Sequence, residues 1–205
     1  ENPFKNKSNW TKDIESNTNI IVYPLPSQYP SILLKQPATI FQKISYRFQD
    51  MRIKFLSKGN AYERALLWKD ILFKKGSEII HAHNIKNVIV TGAPFHLLHH
   101  SLLLKKEFPE LNLIVDFRDQ WTDNISFGGY KNLSPSRMEF EKRLESDVLQ
   151  GASHIVTVAE TMTENLLQRR ENSTAAFHTI HNGFDEDDFS SVKFVKKSVS
   201  DKILF

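Results

Sequence analysis

The densest group of side chains that could do chemistry directly follows the apolar run at residues 113–115. Asp116, Arg118, Asp119 and Trp121 come within one short stretch there. Two carboxylates that flank a guanidinium can hold it in one orientation through paired hydrogen bonds. Alternatively, Asp119 binds sugar hydroxyls while Trp121 offers an apolar platform for a pyranose ring. A third interpretation is structural only: an ion pair fixes the loop, and Trp121 belongs to the core.

A second candidate site is the turn that follows the apolar run at residues 88–90. The turn is built mainly from small residues and opens a helix, so it exposes free backbone N–H groups at the positive end of that helix. Such a terminus suits an anion, for example a phosphate or a carboxylate. With a single glycine it is neither a P-loop nor the dinucleotide-binding fingerprint. The residues concerned are Thr91, Gly92, Ala93, Pro94, Phe95 and His96.

The chain has eight histidines and no cysteine, which limits the metal sites that it could form. Without cysteine there are no disulfides, thiolate ligands or cysteine nucleophiles. His96 and His100 share a helix face, yet no H-E-x-x-H arrangement accompanies them, and His81 and His83 share a face only on a strand. No G-x-S-x-G elbow marks a serine hydrolase. We therefore predict no metal and no cofactor.

The composition is that of a soluble globular protein with one domain, or one domain with an extension. Of the 205 residues, 40% are hydrophobic and 25% are charged, which is enough for a core. The net charge of +3 comes from acids and bases mixed along the chain, and this disfavours a nucleic-acid partner. The longest apolar runs are too short to cross a bilayer, and the first residues lack a secretory signal. We expect a cytoplasmic protein.

Strand and helix patterns alternate from residue 88 onward. This order favours parallel pairing through right-handed crossovers, so we predict an α/β fold: a Rossmann-like open parallel sheet with helices on both faces. Ligands of such sheets lie beyond the carboxyl ends of the strands, where residues 91–96, residues 116–121 and the turn after Val158 would share one rim. The predicted strands cover residues 88–90, 113–115, 155–158 and 179–180, and the predicted helices cover residues 95–106, 135–151 and 160–170.

Upstream of this alternation we predict a strand at residues 19–23, a helix at residues 38–58, and a helix from residue 61 to 75 or 83. The helix at residues 38–58 is amphipathic and basic. We expect its apolar face to dock on the sheet; the alternative is that it lies on an acidic membrane surface. Its apolar positions are Ile40, Phe41, Ile44, Phe48, Met51 and Phe55, and its basic positions are Lys43, Arg47, Arg52, Lys54 and Lys58.

Four segments resemble, in order and spacing, the first domain of family-four retaining glycosyltransferases, over roughly residues 68–189. Residues 88–95 resemble the strand and loop before a helix. Residues 116–121 resemble the D-x-R-D-x-W signature, with Gln120 where proline is common. Glu141 and residues 144–158 resemble the helix and strand that follow, and residues 181–185 with Phe189 resemble the N-G-x-D…F segment that closes the domain.

The resemblance implies an enzyme of the GT-B type, in which two Rossmann-like domains face each other across a cleft. The first domain binds the acceptor. The second binds a UDP- or GDP-linked sugar and carries an E-x7-E motif, and transfer proceeds with retention and without a metal. Residues 1–189 would be the acceptor-side domain, trimmed at the front, where the family's Gly-rich loop is missing. Residues 190–205 would be the linker and the start of the donor-binding domain, with a strand at residues 202–205.

The resemblance also implies roles for the candidate residues. Asp119 and Asp116 would position or polarise the attacking hydroxyl. Arg118 would orient them or meet a phosphate, although some relatives carry a histidine at this position. Residues 91–96 would form the floor of the cleft, and Trp121 would contact the substrate. The interdomain hinge would contain Asn182 and Gly183.

The implied partners are a nucleotide-sugar donor, bound mainly by the missing domain, and a sugar or lipid-linked sugar acceptor. The basic helix at residues 38–58 could bring the protein to such an acceptor on the inner membrane face. The isolated chain would be inactive. Two alternatives stay open: a non-catalytic α/β module that binds a ligand or partner, and a GT-B sugar-nucleotide epimerase.

Overall fold

The computed structural model describes residues 17–58, 63–124 and 133–184. A 3-10 turn at Ser31–Leu34 precedes the longer elements. These follow as α1 (Ile40–Leu56), α2 (Lys69–His83), β1 (Asn87–Gly92), α3 (His96–Glu107), β2 (Asn112–Phe117), α4 (Pro135–Gly151), β3 (His154–Thr157), α5 (Glu160–Gln168) and β4 (Ala176–Thr179). None of the helices in the described ranges is long and apolar enough to cross a bilayer.

Local sequence signals set the ends of several helices. Thr39 and Gln42 form a reciprocal capping box at the start of α1, which satisfies backbone donors that the first turn leaves free. The hydroxyl of Ser134 accepts from the Arg137 backbone N–H, with proline at the first helical position of α4. At the end of α2, Asn84 takes a left-handed φ of 50°, which stops the helix.

The four strands form one parallel sheet in the order β1-β2-β3-β4. This confirms the predicted α/β, Rossmann-like parallel sheet. In register, Thr91 pairs with Asp116, Asp116 pairs with Val156, and Val156 pairs with His178. The carboxyl ends of the strands are therefore neighbours along one rim. β4 begins at Ala176, earlier than the strand predicted at residues 179–180.

The helices that connect the strands pack on one face of the sheet. Leu113, Val115 and Ile155 point to this face and are fully buried in a core that also contains Leu98 of α3 and Val148 of α4. Helices on both faces were expected, and in the described residues the second layer is not seen. The strand order explains the difference. Because each new strand is added at the same edge of the sheet, right-handed crossovers put every connecting helix on the same face.

The opposite face of the sheet is covered by no helix of the described ranges. Ile89 is 69% exposed there, and Ile114 and Val156 beside it are only partly buried. Parallel sheets are normally covered on both faces. We call this surface the open face; the candidate site lies at its carboxyl end.

The predicted strand at residues 19–23 is not formed. Ile21 and Val22 are 66% and 61% exposed, and this segment pairs with no strand of the described sheet. It lies instead against α2, where the Tyr23 hydroxyl is 3.4 Å from His83 Nε2 and Lys75 Nζ is 4.8 Å from the centre of the tyrosine ring. The strand predicted at residues 202–205 lies outside the described residues.

The second predicted helix starts later than the sequence indicated. α2 begins at Lys69 and not at residue 61, and it extends to His83. The preceding residues make turns, with the Trp68 N–H donating to the Ala65 carbonyl at 2.8 Å. The buried side chain of Glu63 accepts from the Ala65 N–H at 3.0 Å, and this local bond competes with a continuous helix.

α1 forms where it was predicted, but its apolar face does not dock. The six apolar residues of that face are between 60% and 84% exposed. Ile53, on the other side of the helix, is fully buried, and the end of α1 approaches α4, where Lys58 Nζ is 4.0 Å from the centre of the Phe140 ring. The expectation of a sheet-docked apolar face is therefore wrong, because the side of α1 that carries Ile53 faces the body of the protein.

Candidate functional site

The carboxyl ends of β1 and β2 bring two of the predicted residues into contact. Thr91 and Asp116 are register partners, and the Thr91 hydroxyl donates to Asp116 Oδ2 at 2.8 Å. Because side chains alternate along a strand, Asp116 and Arg118 project to the open face while Phe117 between them is fully buried in the core. Thr91, Asp116 and Arg118 thus belong to one surface.

A cavity of about 600 Å³ lies over the open face. Its floor is apolar and includes Ile114 and Val156. Asp116, Arg118 and the segment His181–Gly183, including Asn182, contribute polar groups at the carboxyl end. An apolar floor with a few polar groups is typical of small-molecule sites of this size. Two of the residues assigned to catalysis, Asp116 and Arg118, therefore line the same cavity as the two assigned to a hinge.

The predicted pairing of Arg118 with its neighbouring aspartates is not formed. Arg118 and Asp119 are both exposed, and within the described ranges no salt bridge joins Arg118 to Asp116 or Asp119. Asp116 is instead held by Thr91. Asp119 does not line the cavity. The guanidinium of Arg118 is therefore available to a ligand in the cavity.

Three histidines of the cavity were not predicted. His154 Nδ1 lies 3.0 Å from His178 Nε2, and the two rings are stacked with their centres 5.2 Å apart. His181 Nδ1 donates to the Val158 carbonyl at 3.2 Å, and its Nε2 lies 3.0 Å from Glu160 Oε1. The first two lie on neighbouring strands, with His178 two residues beyond the register partner of His154, a relation that a linear sequence does not reveal.

Trp121 lies beneath the rim and not in the cavity. It is 1% exposed and stacks on Phe95, with ring centres 5.4 Å apart and an interplanar angle of 8°. Its indole N–H donates to Glu141 Oε2 at 2.9 Å. The indole thus offers no face to a pyranose in this structure, and Trp121 occupies the core position that the structural interpretation anticipated.

Glu141 of α4 is the centre of a buried polar cluster. Besides Trp121, the carboxylate accepts from Arg137 and from His96 Nε2, the latter at 3.1 Å. Burial alone would raise the pKa of Glu141, but the hydrogen bond and charge of His96 and the charge of Arg137 outweigh it, so the pKa lies below its usual value. Because an ionised carboxylate only accepts, His96 Nε2 carries a proton.

A second glutamate one turn further along α4 fixes the other side of the same loop. Glu145 Oε2 accepts from the Thr122 backbone N–H at 3.0 Å, and its Oε1 lies 2.7 Å from Arg169 Nη1. Burial raises the pKa of Glu145, although the charge of Arg169 and the hydrogen bonds from Thr122 oppose the rise. Trp121 and Thr122 are thus anchored from α4, which determines where Arg118 and Asp119 lie.

The helix terminus proposed as an anion site already holds a carboxylate of the chain itself. Glu63, 2% exposed, accepts from the His96 backbone N–H at the start of α3, at 3.3 Å. Burial raises the pKa of Glu63, against the lowering effects of the His96 charge and of backbone hydrogen bonds. Phe95 and His96 are each 3% exposed. The two residues are therefore part of the protein interior and not the floor of the cavity.

The remaining turn residues have different positions. Gly92 is buried, and a Cβ built on it would lie 2.9 Å from Leu98 Cδ1, so the glycine permits β1 to approach α3 closely. Ala93 is exposed and Pro94 is partly buried. None of residues 91–96 lines the cavity, and Thr91 reaches it through its hydrogen bond to Asp116.

Sequence reasoning assigned no role to four charged residues that are buried beneath the rim. Arg137, Glu141 and Glu145 lie on the buried face of α4 among apolar residues, and this placement of charges at core positions was the available signal. Glu63 carried no such signal.

Comparison of the chain with protein-family models, with curated protein sequences and with solved structures finds no match, so the site is interpreted from its own geometry.

Proposed function

We propose that this chain is the acceptor-side part of a two-domain, GT-B type retaining glycosyltransferase. In this proposal the cavity over the open face binds part of the acceptor or of the transferred group. The observation that supports it best is the convergence of Asp116, Arg118 and Asn182 on one cavity at the carboxyl edge of a parallel sheet. That edge is where open α/β folds bind ligands.

The side chains of the cavity suit a sugar that carries a charged group. Asp116, oriented by the Thr91 hydroxyl, is an acceptor for sugar hydroxyls. Arg118 supplies a planar set of donors for a phosphate or carboxylate. The apolar floor, which includes Ile114 and Val156, suits the C–H face of a pyranose. Asp119, exposed beside Arg118, would meet an acceptor hydroxyl from outside the cavity.

The rival functions are a sugar-nucleotide epimerase and a non-catalytic binding module. Ligand-observed NMR on the chain separates them, with UDP-glucose, GDP-mannose and a panel of methyl glycosides as probes. An acceptor-side domain should transfer saturation to a methyl glycoside and should bind both nucleotide sugars weakly. Tight binding of a nucleotide sugar by the chain alone would favour the epimerase or an independent module.

In the complete protein, sugar transfer tests the assigned roles. We expect Arg118→Ala and Asp119→Asn each to lower the rate by about a hundredfold. This is the low end of the rate losses that follow removal of a group that transfers a proton or stabilises a developing charge. Arg143→Ala and Glu139→Gln, exposed residues of α4, are matched controls and should leave the rate within about twofold. Unchanged transfer in both rim variants would remove the role assignment.

A further inference from the structure

The helix α1 is attached to the protein by the less apolar of its two sides. Its buried or partly buried residues are Tyr46, Gln49, Asp50 and Ile53, at the spacing that marks one face of a helix. Only Ile53 among them is fully buried and aliphatic. The opposite side of the helix consequently faces outward.

That outward side is a continuous apolar stripe, which we call the α1 stripe. At 100° per residue its members fall within an arc of about 100°. Each is a large side chain, and the least exposed of them, Phe48, is still 60% exposed. The members are Ile40, Phe41, Ile44, Phe48, Met51 and Phe55. A stripe of this kind facing water is unfavourable, since isolated apolar side chains are common at surfaces but contiguous ones mark interaction sites.

Basic residues border the α1 stripe on both sides. Lys43, Arg47 and Lys54 fall along one edge by helical position, and Arg52 falls along the other. The single acidic residue of α1, Asp50, lies on the inward side and is bridged by Lys54 at 2.7 Å. The outward half of the helix is therefore apolar in the middle and cationic at its margins.

We propose that α1 binds an anionic lipid surface, with its axis parallel to the membrane and the α1 stripe among the acyl chains. Phenylalanines on one face and lysines and arginines beside them are the pattern of interfacial helices, and the cations would lie at the level of the phosphates. The capping box of Thr39 and Gln42 forms the helix before contact, which limits the ordering cost of binding. This attachment is independent of the proposed sugar transfer.

Vesicle co-sedimentation of the whole chain tests the proposal. Vesicles of phosphatidylcholine with phosphatidylglycerol should bind the chain more tightly than vesicles of phosphatidylcholine alone, and added salt should weaken the binding. The double variant Phe48→Gln/Phe55→Gln should bind at least tenfold more weakly, because two apolar side chains no longer enter the bilayer. Arg47→Gln should bind about fivefold more weakly.

A matched control uses exposed apolar residues outside α1. Ile21→Gln/Val22→Gln removes side chains that are 66% and 61% exposed and should leave vesicle binding unchanged. Circular dichroism checks that every variant keeps its helix content. Equal lack of binding to both vesicle types, or equal losses in the control and in the stripe variant, would overturn the proposal. So would sizing data in which Phe48→Gln/Phe55→Gln abolishes a dimer while the parent chain ignores lipid, since the α1 stripe would then join two copies.

Discussion

The buried ring of His100 should make the free energy of unfolding depend on pH, and the surroundings of the ring set the size of the effect. The ring is 9% exposed, and its Nε2 lies 3.2 Å from the Ala65 carbonyl, which suits a neutral ring that donates from Nε2. Burial, helped by the nearby charges of His96, His99 and Lys69, lowers the pKa of His100 from 6.5 to about 4.

The direction of the effect on stability follows from proton binding. The unfolded chain takes up a proton at His100 near pH 6.5, while the folded protein does not until about pH 4. Stability from this residue is therefore fully present above pH 6.5 and is lost as the pH falls from 6.5 to 4. At about 1.4 kcal/mol per pKa unit, the gap amounts to about 3 kcal/mol.

The variant His100→Gln removes the titration and keeps a donor for the Ala65 carbonyl. Urea unfolding of both proteins is measured between about pH 7 and about pH 4.5. The free energy of unfolding of the parent should fall toward that of His100→Gln as the pH drops, so the difference between them narrows by about 2–3 kcal/mol.

The other groups that titrate in this range are present in both proteins. The titrations of Glu63 and Glu145, whose pKa values are raised, largely cancel in the difference between the two free energies of unfolding. His99→Gln serves as the comparison. Burial lowers the pKa of this ring too, but its side chain is 31% exposed, so the difference in free energy of unfolding between the parent and His99→Gln should narrow less. Parallel curves for the parent and His100→Gln would refute the reasoning.

Three further substitutions test the packing at the rim and between α3 and α4, with free energies of unfolding as the readout. Trp121→Phe keeps a ring on Phe95 but removes the donor to Glu141, which should cost about 1–3 kcal/mol; a loss below about 0.5 kcal/mol would mean that this bond does not anchor the loop. Gly92→Ala puts a methyl group 2.9 Å from a fully buried leucine and should cost about 1–3 kcal/mol. Gly151→Ala puts a methyl group 2.8 Å from Leu102 Cδ2, but Leu102 is only partly buried and the end of its side chain can move. The variant also gains helix propensity, so we expect a change within about 1 kcal/mol of zero; equal losses in the two glycine variants would contradict the difference in packing.

The sequence predicted the sheet because its signals there are local. Short β-branched runs such as residues 88–90 alternate with helices of clear period, and this order alone favours parallel pairing. The carboxyl-edge rule then selected Thr91, Asp116 and Arg118, which the structure brings to one surface. Their contact depends only on strand register, which the hydrophobic pattern already fixes.

The features that the sequence did not reveal depend on contacts between residues that are far apart in the chain. The carboxylate that fills the terminus of α3 comes from Glu63, in a segment where no pattern indicates a buried charge. The same holds for α1: its periodicity identifies an apolar face, but only the burial of Ile53 reveals that this face points away from the protein. Helical period determines which residues share a face and not what that face meets.

The two anchors beneath the rim loop have a consequence for engineering. Glu141 and Glu145 hold the loop at Trp121 and Thr122, whereas Arg118, Asp119 and Gln120 just before them are exposed. A library randomised at these three positions should therefore leave the stability of the protein nearly unchanged while it varies the side chains in and beside the cavity. Amino-acid changes at these three positions are thus under little constraint from folding.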